Sequence, residues 1–169
     1  RYVYDLGVVR GRARALRQGL PSIARLHYAM KANPHPAILV ALAAEGLAME
    51  CVSLGELRRV REVLGDAVPV LFTPNFCPVR EYAEALELGA EVTIDGPHVL
   101  EQAPGVFAGV GVAARIDPGK GLGHHDKVRT AGAHQKFGHP LSDLDALWEA
   151  SADVGARIVG LHAHVGSGI

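Results

Sequence analysis

Apolar residues fall into short runs along this chain, and these runs alternate with longer amphipathic segments. The short runs are nearly all apolar, which is typical of parallel strands covered on both faces, whereas the longer segments have helical spacing. The predicted strands are Leu26–Met30, Ala48–Val52, Val68–Phe72, Glu91–Ile94, Gly109–Ile116 and Ile158–His164, with a β-like run at Arg1–Tyr4. The predicted helices are Leu6–Gln18, Pro36–Glu45, Leu54–Leu64, Pro78–Leu88, a short helix that ends at Ala103, and Asp143–Val154.

Capping residues mark the ends of these predicted helices. Asp5 precedes the first helix, and the pair Ser53 and Glu56 forms a capping box at the start of the third. Asp95-Gly-Pro is expected to begin the short helix, and Ser142 to cap the last one. Glycine follows successive helices, which is typical of a helix that ends in a left-handed residue.

The strand–helix unit recurs about every 20 residues over the first four strands, which predicts parallel pairing. A (β/α) barrel and a doubly wound open sheet both fit this pattern. The even period, and a first strand with no glycine-rich fingerprint after it, favour a (β/α)8 TIM-type barrel. Six strands are visible, whereas closure needs eight. We therefore expect residues 1–169 to be one partial barrel domain of about six β-α units, cut from a longer protein.

Composition narrows the classes of function. The 169 residues are 49% hydrophobic and 21% charged, with a net charge of −1, so we expect neither a nucleic-acid nor a membrane partner. The two cysteines, Cys51 and Cys77, indicate a reduced, cytoplasmic compartment rather than a disulfide framework. The first predicted helix carries basic residues with the spacing of a solvated face: Arg10, Arg12, Arg14 and Arg17.

Polar residues collect where the predicted strands end. In parallel α/β folds the functional groups lie on the loops at the carboxyl ends of the strands, so these residues are expected to share one rim. They are Lys31, Asn33, Glu50, Ser53, Thr73, Asn75, Asp95, Arg115, Asp117, His162, His164 and Ser167. The long segment Asp117–Gly138 also follows a strand, and its length leads us to expect function or disorder there. Within it, the run His124, His125, Lys127 and Arg129 is either a mobile lid or a solvated loop.

Lys31 stands at the end of the first apolar run, directly before a turn signal. One interpretation is that the strand ends at Met30 and that Lys31 simply reaches water. The other is that the lysine lies at the mouth of a pocket and forms an imine with a carbonyl compound. The same choice applies to Glu50 and Arg115, which could form a structural salt bridge or tune a bound group.

The two histidines of the last strand allow three interpretations. They could bind a metal together with His124 and His125, hydrogen-bond within the core, or place one imidazole against a planar cofactor. The following turn, Val165-Gly-Ser-Gly168, consists of small residues and could bring backbone N–H groups close to a phosphate. A lysine, a phosphate-binding turn and a stacking imidazole are together the components of a pyridoxal phosphate site.

Five motifs, in order, resemble the fold-type III pyridoxal phosphate decarboxylases, which share the alanine racemase-like barrel. They are Tyr28-Ala-Met-Lys-Ala-Asn33, Met49-Glu-Cys-Val-Ser-Leu-Gly-Glu56, Arg115-Ile-Asp-Pro-Gly119, Lys136-Phe-Gly138 and Leu161-His-Ala-His-Val-Gly-Ser167. The match extends over essentially the whole chain. The loop Gly119–Thr130 is similar to that of the diaminopimelate branch, especially the form fused to an aspartate kinase.

The resemblance implies a cofactor, pyridoxal 5'-phosphate, and a role for each matching residue, with no metal. Lys31 would bind the cofactor covalently, and His164 would stack on its ring, so these two are the expected catalytic residues. The other expected cofactor-binding residues are Ala29, Glu50, Arg115, Gly166, Ser167 and Gly168. Some relatives have Asp where Glu50 stands, and the role of His162 stays open.

The resemblance also implies an activity: decarboxylation of an amino acid, with meso-diaminopimelate as the expected substrate and lysine as the product. Ornithine, arginine or a carboxylated polyamine are alternative substrates. An amino-acid racemase and a pyridoxal phosphate-binding barrel without turnover are alternative functions. The family works as a homodimer and has a C-terminal β-domain that is not recognisable here. We therefore expect the isolated chain to have little or no activity.

Overall fold

The computed structural model describes residues 2–118, 122–123, 137–164 and 166–167, the segments 122–123 and 166–167 by their backbone. The chain divides into two compact units. Unit 1 comprises Arg1–Thr73 and Glu84–Ala90, and unit 2 comprises Pro74–Ala83 and Glu91–Ile169. The helices are α1 Leu6–Gly19, α2 Pro36–Ala44, α3 Leu54–Leu64, α4 Val79–Glu87, α5 Pro97–Gln102, α6 Pro104–Phe107 and α7 Leu144–Val154. The strands are β1 His27–Ala29, β2 Ala48–Cys51, β3 Val70–Phe72, β4 Glu91–Ile94, β5 Gly111–Asp117, β6 Leu122–Gly123, β7 His139–Pro140, β8 Arg157–His162 and β9 Gly166–Ser167.

In unit 1, three parallel strands form a sheet whose buried face packs on helices. β1 pairs with β2, and β2 with β3, both in parallel. The side chains of Met49 and Phe72 are fully buried, as are Leu39 of α2 and Leu57 of α3. Because side chains alternate along a strand, the opposite face carries Ala29, Glu50 and Leu71, which are in register with one another.

Unit 2 is built around β5. This strand pairs in parallel with three others. Its residues 112–114 pair with β4, residues 111–115 pair with β8, and residues 116–117 pair with β7. A register shift between Val112 and Ala113 leaves one extra residue in β8, which is a β-bulge. Buried apolar side chains from the helices and strands form the core of this unit: Ile94, Leu100, Phe107, Val112 and Leu147.

The capping signals of the sequence are confirmed at α1 and α3. The Asp5 carboxylate accepts hydrogen bonds from the N–H groups of Gly7 and Val8. Ser53 accepts one from the Glu56 N–H at 3.3 Å, and Glu56 in turn accepts one from the Val52 N–H at 2.8 Å. The acidic side chain therefore binds one residue earlier than in a standard capping box.

Several predicted boundaries are wrong. Residues 2–4 contain no strand, and the first strand ends at Ala29, because Met30–Ala32 form a 3₁₀ turn. The short helix, by contrast, ends as predicted to within one residue, at Gln102 with Ala103 as its C-cap, and Pro104 begins a separate helix, α6. Ser142 makes no capping hydrogen bond, because it lies inside a 3₁₀ turn, Leu141–Asp143. The last long strand ends at His162, so His164 lies beyond it.

The arginines of α1 lie largely on its exposed side, as predicted, and two of them also contact the end of α2. Arg14 forms an ion pair with the Glu45 carboxylate at 2.9 Å, and Arg17 donates a hydrogen bond to the Glu45 carbonyl at 2.7 Å. Cationic groups are favourable at the end of a helix, where carbonyl groups are unpaired. These contacts attach α1 to α2.

Candidate active site

Lys31 lies in the 3₁₀ turn that follows β1, and this turn is held at several points. The side chain of Met30 is buried, with its sulfur 4.0 Å from Sγ of Cys51 on β2. The Asn33 N–H donates to the Met30 carbonyl at 3.1 Å, and the Tyr28 hydroxyl donates to the Asn33 carbonyl at 3.3 Å. Lys31 itself is exposed. The backbone that carries the amine is therefore fixed, while the amine can reach a ligand.

Burial raises the pKa of the Tyr28 phenol, and a backbone hydrogen bond with Asn33 lowers it to a smaller extent. Because the net change is upward from 10.0, the hydroxyl stays protonated over the neutral range. It can therefore donate to the Asn33 carbonyl at any physiological pH. Tyr28 and Asn33 flank the turn that carries Lys31, so their contact limits where the lysine can point.

Glu50 is held at the carboxyl end of β2 by a neighbouring strand. Its Cα is in register with that of Ala29 on β1, and its Oε1 accepts a hydrogen bond from the Thr73 hydroxyl. Ala29 has a small side chain, so the face next to Glu50 is left open on that side. Unit 1 thus brings together three of the predicted site residues: Ala29, Lys31 and Glu50.

Arg115 lies near the carboxyl end of β5 in unit 2, with a carboxylate and an aromatic ring beside it. Its Nη1 is 4.0 Å from Oδ1 of Asp95, and its side chain is 12% exposed. Its guanidinium carbon is 4.8 Å from the centroid of the Phe137 ring. Arg115 is also in register with His162 on β8. The ion pair between Glu50 and Arg115 that the sequence suggested stays a prediction.

Asp95 is buried, and no described side chain donates a hydrogen bond to either of its carboxylate oxygens. Burial raises the pKa of this carboxyl group, whereas Arg115, the backbone N–H of Phe76 and His98 lower it to a smaller extent. Two other buried oxygens of unit 2 also have no hydrogen-bond partner among the described residues, Oδ1 of Asn75 and Oγ1 of Thr93. Buried polar groups normally have partners, so a set of unsatisfied groups is typical of a site that binds a polar ligand.

The other predicted site residues are His164, the glycine-rich segment after it, and the histidines of the long loop. His164 is partly buried and lies two residues beyond the end of β8. Gly166 and Ser167 form the short strand β9, parallel to β6, rather than a free turn. Gly168 lies outside the described residues, as do His124, His125 and most of the long loop. Across the described part of the chain, no group of three or more His, Cys, Asp or Glu residues is arranged to hold a metal ion.

The side chains present fit pyridoxal phosphate. An exposed lysine amine can bind an aldehyde, an arginine and a glycine-rich backbone suit anionic groups, and an imidazole can lie against an aromatic ring. In unit 2, the buried oxygens of Asn75 and Thr93 have no hydrogen-bond partner among the described residues, which fits a site for a polar ligand. Thr73 and Asp95 were expected on the rim but not among the cofactor-binding residues, and Phe137 was expected in neither group. The signal for Thr73 and Asp95 was their position at strand ends, and for Phe137 its place in the fourth motif.

Comparison with known proteins identifies this arrangement. The sequence model described as "Pyridoxal-dependent decarboxylase, pyridoxal binding domain" matches residues 6–169. The chain is a pyridoxal-binding α/β domain, and it belongs to the pyridoxal-dependent decarboxylase family. The predicted family, fold class and cofactor are therefore confirmed.

Curated relatives include diaminopimelate decarboxylases of two bacteria. The chain is 34% identical over 146 residues to that of Deinococcus radiodurans, a match that covers 86% of the chain and 38% of the relative. It is 39% identical over 171 residues to that of Actinosynnema pretiosum, which covers 98% of the chain and 39% of the relative. The chain thus spans about two fifths of the length of these relatives.

Two solved structures show the same fold. A crystal structure of diaminopimelate decarboxylase superposes with a TM-score of 0.83 at 28% identity, covering 98% of this chain and 39% of that one. A lysine/ornithine decarboxylase from Vibrio vulnificus, solved with putrescine, superposes with a TM-score of 0.79 at 27% identity, covering 98% and 41%. Within the described residues, no helix is long and apolar enough to cross a membrane. The fusion to an aspartate kinase and the cytoplasmic location stay predictions.

Proposed function

We propose that this chain forms the lysine-bearing part of the active site of an enzyme that decarboxylates meso-diaminopimelate to lysine. The observation that carries the proposal is the exposed Lys31 on a turn fixed by Tyr28, Asn33 and the buried Met30. The substrate is supported by two curated relatives, at 34% and 39% identity, that are diaminopimelate decarboxylases. Together these observations favour this substrate over others of the family.

Each residue has a task in this proposal. Lys31 would hold the cofactor through its primary amine. Glu50, held by Thr73, and Arg115, held beside Asp95, provide one negative and one positive group for the cofactor. His164 would lie against the ring, and the segment Gly166–Gly168 would bind the phosphate. When bound, pyridoxal phosphate accepts the electron pair left at Cα as carbon dioxide departs.

A second candidate substrate is a basic amino acid without the distal carboxylate, such as ornithine. Two observations favour it: the ornithine decarboxylase of Leishmania donovani is 30% identical over 170 residues, and the Vibrio structure is a lysine/ornithine decarboxylase. The Leishmania match covers 99% of this chain and 23% of the relative.

We further propose that the enzyme is a homodimer.

The test is an assay of carbon dioxide release by the intact protein that carries this chain. We expect turnover of meso-diaminopimelate well above that of ornithine or arginine. Preferred turnover of ornithine would establish the second candidate, and bound cofactor without turnover of any amino acid would establish a binding protein. Racemised substrate without carbon dioxide release would establish a racemase.

The role of Lys31 is tested by the absorption spectrum of the protein with added pyridoxal phosphate. We expect Lys31→Ala and Lys31→Arg to lose the long-wavelength absorption of covalently bound cofactor, because neither has a primary amine at that position. Arg59→Ala is the matched control, since Arg59 is a partly exposed cation of unit 1 that pairs with Glu62. Unchanged absorption in both Lys31 variants would refute the proposed role.

A further inference from the structure

Asp95 is a buried carboxylate with few polar partners. Its side chain is 7% exposed, and no described side chain donates a hydrogen bond to either of its oxygens. A buried carboxylate of this kind is destabilising unless it is paired. Asp95 forms an ion pair with Arg115, whose Nη1 lies 4.0 Å from Oδ1 of Asp95. The carboxylate is therefore better explained by its effect on Arg115 than by a contribution to folding.

The Arg115 guanidinium also packs against the Phe137 ring. The guanidinium carbon lies 4.8 Å from the ring centroid, within the range of a cation–π interaction. Gly138 fixes the backbone next to this ring: it has φ of +79°, and a Cβ there would come within 2.9 Å of the Ile116 carbonyl carbon. The close approach of Gly138 to β5 thus keeps Phe137 beside Arg115.

The strand register places these groups together. Ile94 of β4 is paired with Ala114 of β5, so Asp95 and Arg115 are the next residues along each strand. Arg115 is paired in turn with His162 of β8. The carboxylate, the guanidinium and an imidazole therefore follow one another across three parallel strands, near the carboxyl end where this fold class has its functional groups.

We propose that Asp95 is a positioning residue, which together with Phe137 holds the Arg115 guanidinium in one orientation for the bound cofactor. This inference rests on the proposed function, since it assumes that Arg115 serves the cofactor. Arginine has a long, flexible side chain with several rotamers, and fixing it beforehand reduces the entropy lost when a ligand binds. Asp95 itself does not touch the cofactor in this proposal.

The test is the dissociation constant of pyridoxal phosphate, measured by titration of the intact protein. We expect Asp95→Asn to bind the cofactor about tenfold more weakly, because the neutral amide no longer holds the guanidinium. Its melting temperature without cofactor should be equal to or above that of the wild type, because the substitution removes a buried charge. Asp145→Asn is the matched control, an exposed aspartate of unit 2, and should bind as the wild type does.

A double variant shows whether Asp95 acts through Arg115. We expect Arg115→Lys to weaken binding, and Asp95→Asn to add nothing to that loss in the double variant. Additive losses would overturn the proposal. Wild-type affinity in Asp95→Asn would overturn it too, and so would tighter binding, which would mean that Asp95 serves to neutralise Arg115.

If Asp95→Asn does not fold, Asp95→Glu is the variant to test. It keeps the charge but displaces the carboxylate by one methylene, so we expect intermediate cofactor affinity. A folded Asp95→Glu with wild-type affinity would overturn the proposal. Wild-type protein that fails to bind pyridoxal phosphate would refute the proposed function itself, whereas normal wild-type binding with no effect of any Asp95 variant would refute this inference alone.

Discussion

The hydroxyl of Thr73 donates a hydrogen bond to Oε1 of Glu50, joining the residue after β3 to the carboxyl end of β2. Thr73 is 5% exposed, and Glu50 is partly buried. A hydrogen bond to a charged group contributes more to stability than one between neutral groups. The contact therefore orients the acid that we assign to the cofactor.

Replacing Thr73 by Val removes the hydroxyl at nearly the same side-chain volume. We expect Thr73→Val to lower the free energy of unfolding by about 1–3 kcal/mol and to weaken cofactor binding, because the Glu50 carboxylate loses a partner. Chemical denaturation and cofactor titration measure the two effects. Thr73→Ser, which keeps the hydroxyl, is the control and should lie close to the wild type. Equal stability and affinity in Thr73→Val would show that this hydrogen bond does not hold Glu50.

Arg61 connects the ends of α3 and α4 in unit 1. Its Nε donates to the Leu88 carbonyl at 2.8 Å, and its Nη1 donates to the carbonyls of Val68 at 2.8 Å and Gly65 at 3.2 Å. Lysine cannot reach several acceptors in this forked arrangement. We expect Arg61→Lys to lower the free energy of unfolding by about 2 kcal/mol or more, measured by denaturant titration.

The control for Arg61 lies on the same helix. Arg59 is partly exposed and pairs with the exposed Glu62 at 2.7 Å. Exposed ion pairs contribute little, so Arg59→Lys should change the free energy of unfolding by less than about 0.5 kcal/mol. Equal effects of the two substitutions would contradict the assigned role of Arg61.

The two serines that the sequence marks as helix caps should respond differently. Ser53 accepts a hydrogen bond from the Glu56 N–H, whereas Ser142 makes no capping bond. We expect Ser53→Ala to cost about 1 kcal/mol of stability and Ser142→Ala to be nearly neutral. Thermal or chemical denaturation of both variants checks this. A larger loss in Ser142→Ala would mean that the sequence signal was right and the turn at Leu141–Asp143 is not populated.

Burial raises the pKa of both thiols, from 9.0 to about 12 in Cys51 and to about 11 in Cys77. A raised folded-state pKa contributes stability that is complete below the unfolded pKa and is lost as pH rises through the folded pKa. Stability should therefore decline from about pH 9 upward, because the unfolded thiols ionise first.

Thiol modification of the native protein distinguishes the two cysteines. Since Cys77 is partly exposed and Cys51 is buried, we expect Cys77 to react first with a soluble thiol reagent and Cys51 to react mainly after unfolding. Faster modification of Cys51 in the native protein would contradict its burial beneath the Lys31 turn. Cys51→Val should reduce the alkaline loss of stability.

Much of the fold could be predicted from the sequence, because its local signals agree with one another. Asp5 and Ser53 cap the helices where they were expected to, β4 has the predicted bounds, and the even period does correspond to parallel strands. Ser142 and the first strand show the limit of such signals. A serine before an apolar run can equally lie in a 3₁₀ turn, and a run of apolar residues does not show where its backbone leaves the sheet.

For the candidate site, the sequence by itself determined the residue types and their place at the strand ends, because the side-chain period and the order of motifs are local properties. Those features led to Lys31, Glu50, Arg115 and His164. The tertiary structure alone decided the partners: Thr73 for Glu50, and Asp95 with Phe137 for Arg115. These contacts join residues far apart in the chain. They depend on strand register and on the packing of Phe137 and Gly138 against β5, which no local pattern specifies.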